Sequence, residues 1–178
     1  PPHLMQARSF ERVEMGLARH ASIVSCAGHG DASALLSAGV RAHWMPTPVE
    51  VPDSTPPRPI AKRIGLIGSF GYPPNLDALR FAISEWHPRF TEWGWKLVVA
   101  GRGAQHLELP ETVINLGEVD SLAAFYSQID IAFTPVRRGG GMKVKVAEAL
   151  CWGRPVLGTE FSFEGFPRLV GTAILEHL

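Results

Sequence analysis

The feature that most constrains the fold is an alternation of short apolar runs with helix-like segments from residue 64 onward. The apolar runs occupy residues 64–70 (IGLIGSF), 95–101 (WKLVVAG), 113–117, 129–135 and 154–160. Segments with helical spacing lie between them, at about 75–90, 121–128 and 142–152. Continuously apolar strands that alternate with helices are typical of a parallel sheet whose two faces are both covered. The sequence therefore predicts an α/β fold with helices on both faces of a parallel sheet.

A shorter series of the same kind comes first. Helical spacing is seen at residues 5–19 and 31–39, and short apolar strands are predicted at 21–28 and 40–46. The following segment, TPVEVPDSTPPRPIAKR, is rich in proline and has no periodicity, which is typical of a linker. We therefore predict a first domain over residues 1–50, a linker over 51–63 and a second domain over 64–178.

Composition limits the function. With 178 residues, 46% of them apolar, and a formal net charge of zero, the chain has enough apolar material for one sizeable core. A neutral chain is not a typical bulk nucleic-acid binder, because such proteins carry a basic excess. Cys26 and Cys151 lie in apolar contexts without metal-ligand spacing, so we expect buried free thiols and a cytoplasmic location. The chain opens with PPHLMQ rather than Met, and we expect it to be a fragment.

Four of the predicted strand-to-helix loops contain glycine. They read GSFGYPPN, with Gly68 and Ser69; AGRGAQ, with Arg102; LGEVD, with Val119; and TPVRRGGGMK. Any one such loop is more typical of a turn, because glycine commonly ends strands and caps helices. Ligands of parallel sheets bind beyond the carboxyl ends of the strands, so four loops of this kind predict a shared cleft.

The last of these loops is the most cationic. The stretch RRGGGMKVKVAEAL places two arginines, three glycines and two lysines before an apolar helix that carries one acid, Glu148. Glycine backbone without side chains, flanked by cationic side chains, allows an anion to approach closely. The loop after the first strand lacks G-x-G-x-x-G and the second strand ends without an acid, which disfavours a nicotinamide site. No G-x-x-x-x-G-K-[ST] occurs, which excludes a P-loop.

Several blocks together resemble a known family. GLIGSFGYPPNLDALRF, WKLVVAGRG and INLGEVDSLAAFYSQIDIAFTPVRRGGGMKVKVAEALCWGRPVLGTEFSFEG, within Ile64 to Gly165, resemble the donor-binding half of retaining GT-B glycosyltransferases of the group-one family. KVAEALCWGRPVLGT carries the strongest similarity. The earlier segment, from FERVEMG to PTPVE, resembles the end of the family's N-terminal, acceptor-side domain. The resemblance implies a Rossmann-like donor-binding domain that is incomplete at its C-terminus.

The resemblance assigns a role to Glu148. The family carries two glutamates separated by seven residues; the first contacts the donor sugar and the second holds the ribose hydroxyls. Glu148 matches the second position, whereas the first falls on Gly140, so that carboxylate is absent. The backbone N–H groups of Gly139, Gly140, Gly141 and Met142, at a helix N-terminus, are the expected substitute. The alternative interpretation of Glu148 is a solvated helix position.

The cations depart from the family pattern as well. The family often places an Arg and a Lys after the first strand and in the next helix, where this chain has Ser69 and Phe70, then YPPNLD, with no lysine. Arg138 and Lys143, on the opposing glycine loop, are expected to stabilise the departing diphosphate instead, with a solvated surface position as the alternative for each. Arg137 and Lys145 are further candidates for this role.

Two remaining loops are assigned to the nucleobase. Arg102 is expected to stack on the base or hydrogen-bond to it, and Glu118 and Val119 to present backbone groups to the base edge. Asp77 is expected to support the N-terminus of the helix that begins near Asn75. No histidine cluster or D-x-D is present, so the prediction is chemistry without a metal and without a cofactor other than the donor.

The resemblance implies transfer of a sugar from a nucleotide-diphosphate sugar to a glycan, lipid or small-molecule acceptor, with retention, in polysaccharide biosynthesis. The acceptor-binding residues would lie largely outside this chain, so the resemblance leaves open whether the chain alone is active. It also leaves open whether the N-terminal half associates peripherally with a membrane. Two alternatives remain: a GT-B sugar-nucleotide epimerase, and a nucleotide-binding module without chemistry.

Overall fold

The computed structural model describes residues 2–139, 142–166 and 172–174, and the side chains of 11–139 and 142–166. Contacts divide the chain into a smaller unit, up to Thr47, and a larger unit formed by Pro48–Gly139 and Lys143–Leu178. Among the described residues, no helix combines the length and the apolar character that crossing a bilayer requires.

The smaller unit contains two helices and two strands. Helix α1 spans Pro2–His20, strand β1 Val24–Cys26, helix α2 His29–Ser37 and strand β2 Ala42–Trp44. β1 and β2 pair in parallel. Type and order of all four elements agree with the sequence prediction. Cys26 and Cys151 are free, but both are half-buried rather than buried, which corrects the expectation from their apolar context.

The larger unit is built on one parallel sheet. Its elements are β3 (Arg63–Ile67), α3 (Pro73–Phe81), a π-helical turn (Ala82–Trp86), α4 (His87–Glu92), β4 (Lys96–Ala100), β5 (Ile114–Gly117), α5 (Leu122–Tyr126), β6 (Ile131–Thr134), α6 (Val144–Cys151), β7 (Val156–Gly158) and β8 (Thr172–Ile174). The strand order is β5-β4-β3-β6-β7-β8. All the strand pairs in this sheet are parallel, which confirms the predicted α/β class.

Strand β4 explains why the sequence forms this sheet. Its residues Leu97 to Ala100 are fully buried, and their side chains alternate between two cores. Leu97 and Val99 pack with Trp86 and Phe90 on one face, whereas Val98 and Ala100 pack with residues of α5 and α6 on the other. A strand buried on both faces must be apolar throughout, which is the pattern that the sequence shows.

The order of the strands reverses between β3 and β6. From β3 the chain moves outward through β4 and β5, and then returns to the other side of β3 to lay down β6, β7 and β8. The carboxyl ends of β3 and β6 therefore flank the crevice where open α/β sheets bind ligands. We call this crevice, between the loops at residues 68–72 and 135–139, the switch-point crevice.

The segment before β3 is tied to the larger unit by two buried polar side chains. Arg154, 2% exposed, donates from Nη2 to the carbonyls of Pro56 (2.9 Å) and Pro57 (3.1 Å). The Oδ2 atom of Asp130 accepts from the backbone N–H groups of Ala61 (3.1 Å) and Arg63 (3.0 Å). Residues 56–63 are thus hydrogen-bonded to the fold that follows them.

Candidate functional site

The loops after β3, β4 and β5 are joined by backbone hydrogen bonds. The N–H of Gly68 donates to the carbonyl of Ala100 (3.0 Å), that of Phe70 to Arg102 (2.9 Å), and that of Gly101 to Gly117 (2.8 Å). Gly101 has φ +116°, and a Cβ there would lie 2.2 Å from the carbonyl oxygen of Gly68. Only glycine permits so close an approach of two strand ends. The structure therefore brings three of the four predicted glycine loops together at one edge.

The loop with Gly68 and Ser69 is also fixed by Asn75. The Nδ2 atom of Asn75 donates to the Ser69 carbonyl at 2.9 Å. The first two residues of α3 are Pro73 and Pro74, which have no N–H to offer an anion. The next N–H, that of Asn75, already donates to the Tyr72 carbonyl at 3.0 Å. The N-terminus of α3 is consequently poor in donors for a phosphate.

The β6 side carries two arginines that share one carboxylate. Nη2 of Arg137 lies 3.2 Å from Oδ2 of Asp77, and Nη2 of Arg138 lies 3.2 Å from Oδ1 of the same residue. The Arg137 guanidinium also stacks on Phe81, with Cζ 4.3 Å from the ring centroid. Asp77 lies beyond the first turn of α3, so the expectation that it supports the helix N-terminus is wrong. Its carboxylate instead holds the two arginines of the crevice.

The cationic loop ends at Lys143, which precedes the first residue of α6. Its ammonium lies 4.0 Å from the centroid of the Phe161 ring. Because α6 begins at Val144, Gly139 and Met142 lie before the helix rather than in its first turn, which corrects the predicted helix start. Gly139 has φ +131°, a conformation that favours glycine. Gly140 and Gly141 lie outside the described residues.

Glu148 and Lys145 lie one turn apart on α6 and interact electrostatically. Burial raises the pKa of Glu148, while Lys145 lowers it and Glu50 raises it. Burial lowers the pKa of Lys145, against the influence of Glu148. Burial first, and Glu148 second, raise the pKa of Tyr126 above its usual range. Glu148 is therefore a half-buried acid close to a cation and a phenol, which is not the environment of a solvated helix position.

Lys145 also lines a small cavity between the ends of β3 and β6. The cavity measures about 10 Å³ and is lined by Leu66, Ile67, Asn75, Ala78, Phe133, Thr134, Pro135, Val136 and Lys145. The buried hydroxyl of Thr134 has no hydrogen-bond partner. This small cavity is lined mostly by apolar residues, with Asn75, Thr134 and Lys145 as the polar ones.

The residues assigned to the nucleobase lie on neighbouring loops. The Nε atom of Arg102 is 3.7 Å from Oε1 of Glu118, and both side chains are exposed, at 80% and 55%. The side chain of Val119 packs against the core beneath α5 and α6. Only its backbone is therefore available for the predicted contact with a base.

Sequence reasoning missed three residues of the crevice: Asn75, the bridging role of Asp77, and Phe161 beneath Lys143. Asp77 is 60 and 61 residues from its partners, a separation that no local pattern encodes. The described side chains include no group of three or more His, Cys, Asp or Glu that could hold a metal ion. The absence of a metal from the chemistry stays a prediction.

Comparison with known proteins gives one family match. The model described as "Glycosyl transferases group 1" matches residues 61–175, more than half of the chain. No curated protein sequence matches the chain.

Three solved structures, two of TarM and one of HepE, are among those with a similar fold. A crystal structure of TarM superposes with a TM-score of 0.70 at 14% identity, covering 92% of this chain and 36% of TarM. A variant of TarM from S. aureus, in complex with Fondaparinux, alpha-GlcNAc-glycerol and UDP, gives 0.66 at 15% identity, with 84% and 32% covered. HepE (Alr3699) from Anabaena, in complex with UDP and glucose, gives 0.60 at 17% identity, with 84% and 47% covered. The chain spans about a third to a half of the length of these structures.

Proposed function

The chain belongs to the group 1 glycosyl transferases, and from this premise we propose that it binds a nucleotide-diphosphate sugar for transfer with retention and without a metal ion. The observation that carries the proposal is the segment after β6. Within it, two arginines at the switch-point crevice, Lys143 at the start of α6 and Glu148 within α6 follow one another. The segment therefore combines cations for phosphate with an acid for hydroxyl groups.

The cations have a direct chemical use. When the bond between sugar and diphosphate breaks, the departing diphosphate gains negative charge, and fixed cations stabilise that charge in the transition state. Arg138 and Arg137 offer planar guanidinium groups and Lys143 a point charge. A divalent ion performs the same neutralisation in other enzymes, so protein cations at this place support the proposal of metal independence.

Glu148 is proposed to hold the ribose. A carboxylate that accepts hydrogen bonds from two adjacent hydroxyls provides charge-assisted contacts. Its partial burial favours this role, because a half-desolvated acid gains more from a hydroxyl donor than a solvated one. In the reaction itself, the proposed transition state resembles an oxocarbenium ion, and the departing phosphate assists removal of the acceptor proton.

The proposal extends to location and partners. Two of the similar structures contain UDP, so a uridine nucleotide is the first donor to test. The acceptor class stays a glycan, a lipid or a small molecule, in polysaccharide biosynthesis at a cytoplasmic location. These are proposals for a whole protein, because the similar structures are about two to three times as long as this chain.

The test is calorimetric titration of UDP, GDP and ADP against their nucleosides, each in EDTA and in magnesium. We expect one diphosphate to bind about tenfold or more tightly than its nucleoside, since charge-assisted phosphate contacts are added. Affinity should be equal in EDTA and magnesium. Equal binding of nucleoside and diphosphate would contradict the phosphate site, and loss of binding in EDTA would contradict metal independence. Conversion of a free nucleotide sugar to its epimer would favour the epimerase.

A further inference from the structure

The contact between Asp77 and the two arginines has an unusual charge balance. One carboxylate serves two guanidinium groups, so the three residues together keep one net positive charge. Asp77 is 22% exposed at its side chain, while Arg137 and Arg138 are 48% and 64% exposed. Each described contact to Asp77 uses a single Nη2 atom. Most of the N–H donors of each guanidinium are therefore left for another acceptor.

The place of the contact is the place where the proposed ligand would bind. Arg137 and Arg138 follow β6 at one side of the switch-point crevice. Asp77 contacts them from α3, which lies on the β3 side of the crevice. A phosphoryl group presents oxygens to guanidinium in much the same geometry as a carboxylate, but with more charge. The two acceptors thus compete for the same N–H groups.

We propose that Asp77 is the resident counter-ion of Arg137 and Arg138, and that the diphosphate of the ligand takes its place. The inference rests on the proposed function. It assigns Asp77 as a positioning residue that sets how strongly the crevice binds a diphosphate. In the free protein Asp77 keeps the two arginines together on the crevice wall, against their mutual repulsion. When the diphosphate binds, its oxygens accept hydrogen bonds from the two arginines in place of the Asp77 carboxylate.

The proposed exchange predicts the direction in which phosphate affinity changes when the charge of Asp77 is removed. If Asp77 served only to orient the arginines, removing its charge would weaken phosphate binding. If it competes for them, removing its charge strengthens binding, because the diphosphate no longer has to displace a like charge. The effect belongs to the phosphate groups alone and weakens as salt screens the charges.

The experiment measures affinity for inorganic pyrophosphate, UDP and uridine in the wild type and in Asp77→Asn. We expect Asp77→Asn to raise affinity for pyrophosphate and UDP by about three- to tenfold at low salt and to leave uridine unchanged. The gain should shrink in about 0.5 M salt. Asp77→Glu keeps the charge and should stay near the wild type. Glu92→Gln, at the end of α4 on the opposite edge of the sheet, removes the same charge elsewhere and should change nothing.

The outcomes distinguish an Asp77 that competes with phosphate from one that only orients the arginines. Unchanged or weaker pyrophosphate binding in a folded Asp77→Asn overturns the exchange, as does failure of both proteins to bind pyrophosphate. Tighter pyrophosphate binding together with equal affinity for UDP and uridine in the wild type would keep the exchange and refute the proposed nucleotide site. Circular dichroism checks the fold, and Asp77→Ser is the second variant should Asp77→Asn not fold.

Discussion

The two sides of the switch-point crevice are held in different ways. On the β3 side, the loops after β3, β4 and β5 are joined by backbone hydrogen bonds, and Gly101 lies against Gly68 with no room for a side chain. On the β6 side, the buried hydroxyls of Thr159 and Ser162 donate to the carbonyls of Val136 and Thr134. The contacts that face solvent there are made by charged side chains, between the two arginines and Asp77 and between Lys143 and Phe161.

This difference indicates that the β3 side supports the fold, whereas the charged residues of the β6 side are available to bind a ligand. Backbone contacts between tightly packed loops cannot be exchanged for contacts with a ligand, because the buried N–H groups would lose their partners. Exposed ion pairs are worth little to stability and are readily exchanged. Substitutions in the packed loops of the β3 side should therefore lower stability, whereas substitutions of the charged residues on the β6 side should change ligand affinity in a stable fold.

The largest effect is expected from Gly101→Ala. A Cβ at this residue would lie 2.2 Å from the Gly68 carbonyl oxygen, and φ +116° disfavours any side chain. Strain and overpacking together should reduce the free energy of unfolding by about 3 kcal/mol or more, measured by urea denaturation. Gly71→Ala is the matched control, because a Cβ there meets nothing within 4 Å. Similar stability of the two variants would mean that the β3 side is not rigidly packed.

Glu148→Gln should give the next largest effect, on affinity. Loss of charge-assisted hydrogen bonds to the ribose should cost about 1.5–3 kcal/mol of binding free energy for uridine and UDP alike. Calorimetry measures both ligands, with Glu92→Gln as the control. Unchanged affinity in a folded variant would remove Glu148 from the site.

The same substitution should alter the pH dependence of stability. Burial raises the pKa of Glu148 above its ordinary 4.5 in the folded state. Between 4.5 and the raised value, the folded protein holds more protons than the unfolded chain, so the free energy of unfolding falls as pH rises. Glu148→Gln removes this fall, and near pH 7 the variant should be at least as stable as the wild type. A less stable variant at that pH would mean that the attraction between Glu148 and Lys145 outweighs the cost of burying the carboxylate.

Lys143→Ala should give the smallest effect. The half-exposed lysine should contribute about two- to fivefold to the affinity for UDP and nothing to that for uridine. The loss should shrink as salt is raised. Lys96→Ala, at the start of β4 on the opposite edge of the sheet, is the control. An equal loss for uridine and UDP would place Lys143 away from the phosphates.

The fold was more predictable than the site. β4 and the other continuously apolar runs carry their own evidence, because a strand buried on both faces cannot tolerate polar residues. The helix predicted at 75–90 runs from Pro73 to Glu92 through a π-helical turn, since Pro73 and Pro74 fit its first turn. The short strand Thr172–Ile174 was not predicted.

The site depends on contacts between distant segments. Glycine loops and the cationic run are visible in the sequence, and their position at strand ends follows from the alternation of elements. The pairing of Asp77 with Arg138 is not visible, because it depends on how α3 and the loop after β6 are packed side by side. The role of each predicted ligand-binding residue, from Gly68 to Glu148, stays a prediction until a nucleotide is titrated.

The buried guanidinium of Arg154 bears on where this fold can be cut. Its bonds to Pro56 and Pro57, and those of Asp130 to Ala61 and Arg63, make the proline-rich segment part of the polar interior rather than a dispensable tether. A polypeptide that began at Ile64 would leave both side chains buried without these partners, at about 1–3 kcal/mol for each unsatisfied group. A stable truncated variant that keeps the larger sheet should therefore begin upstream of Pro56, before the sheet itself starts.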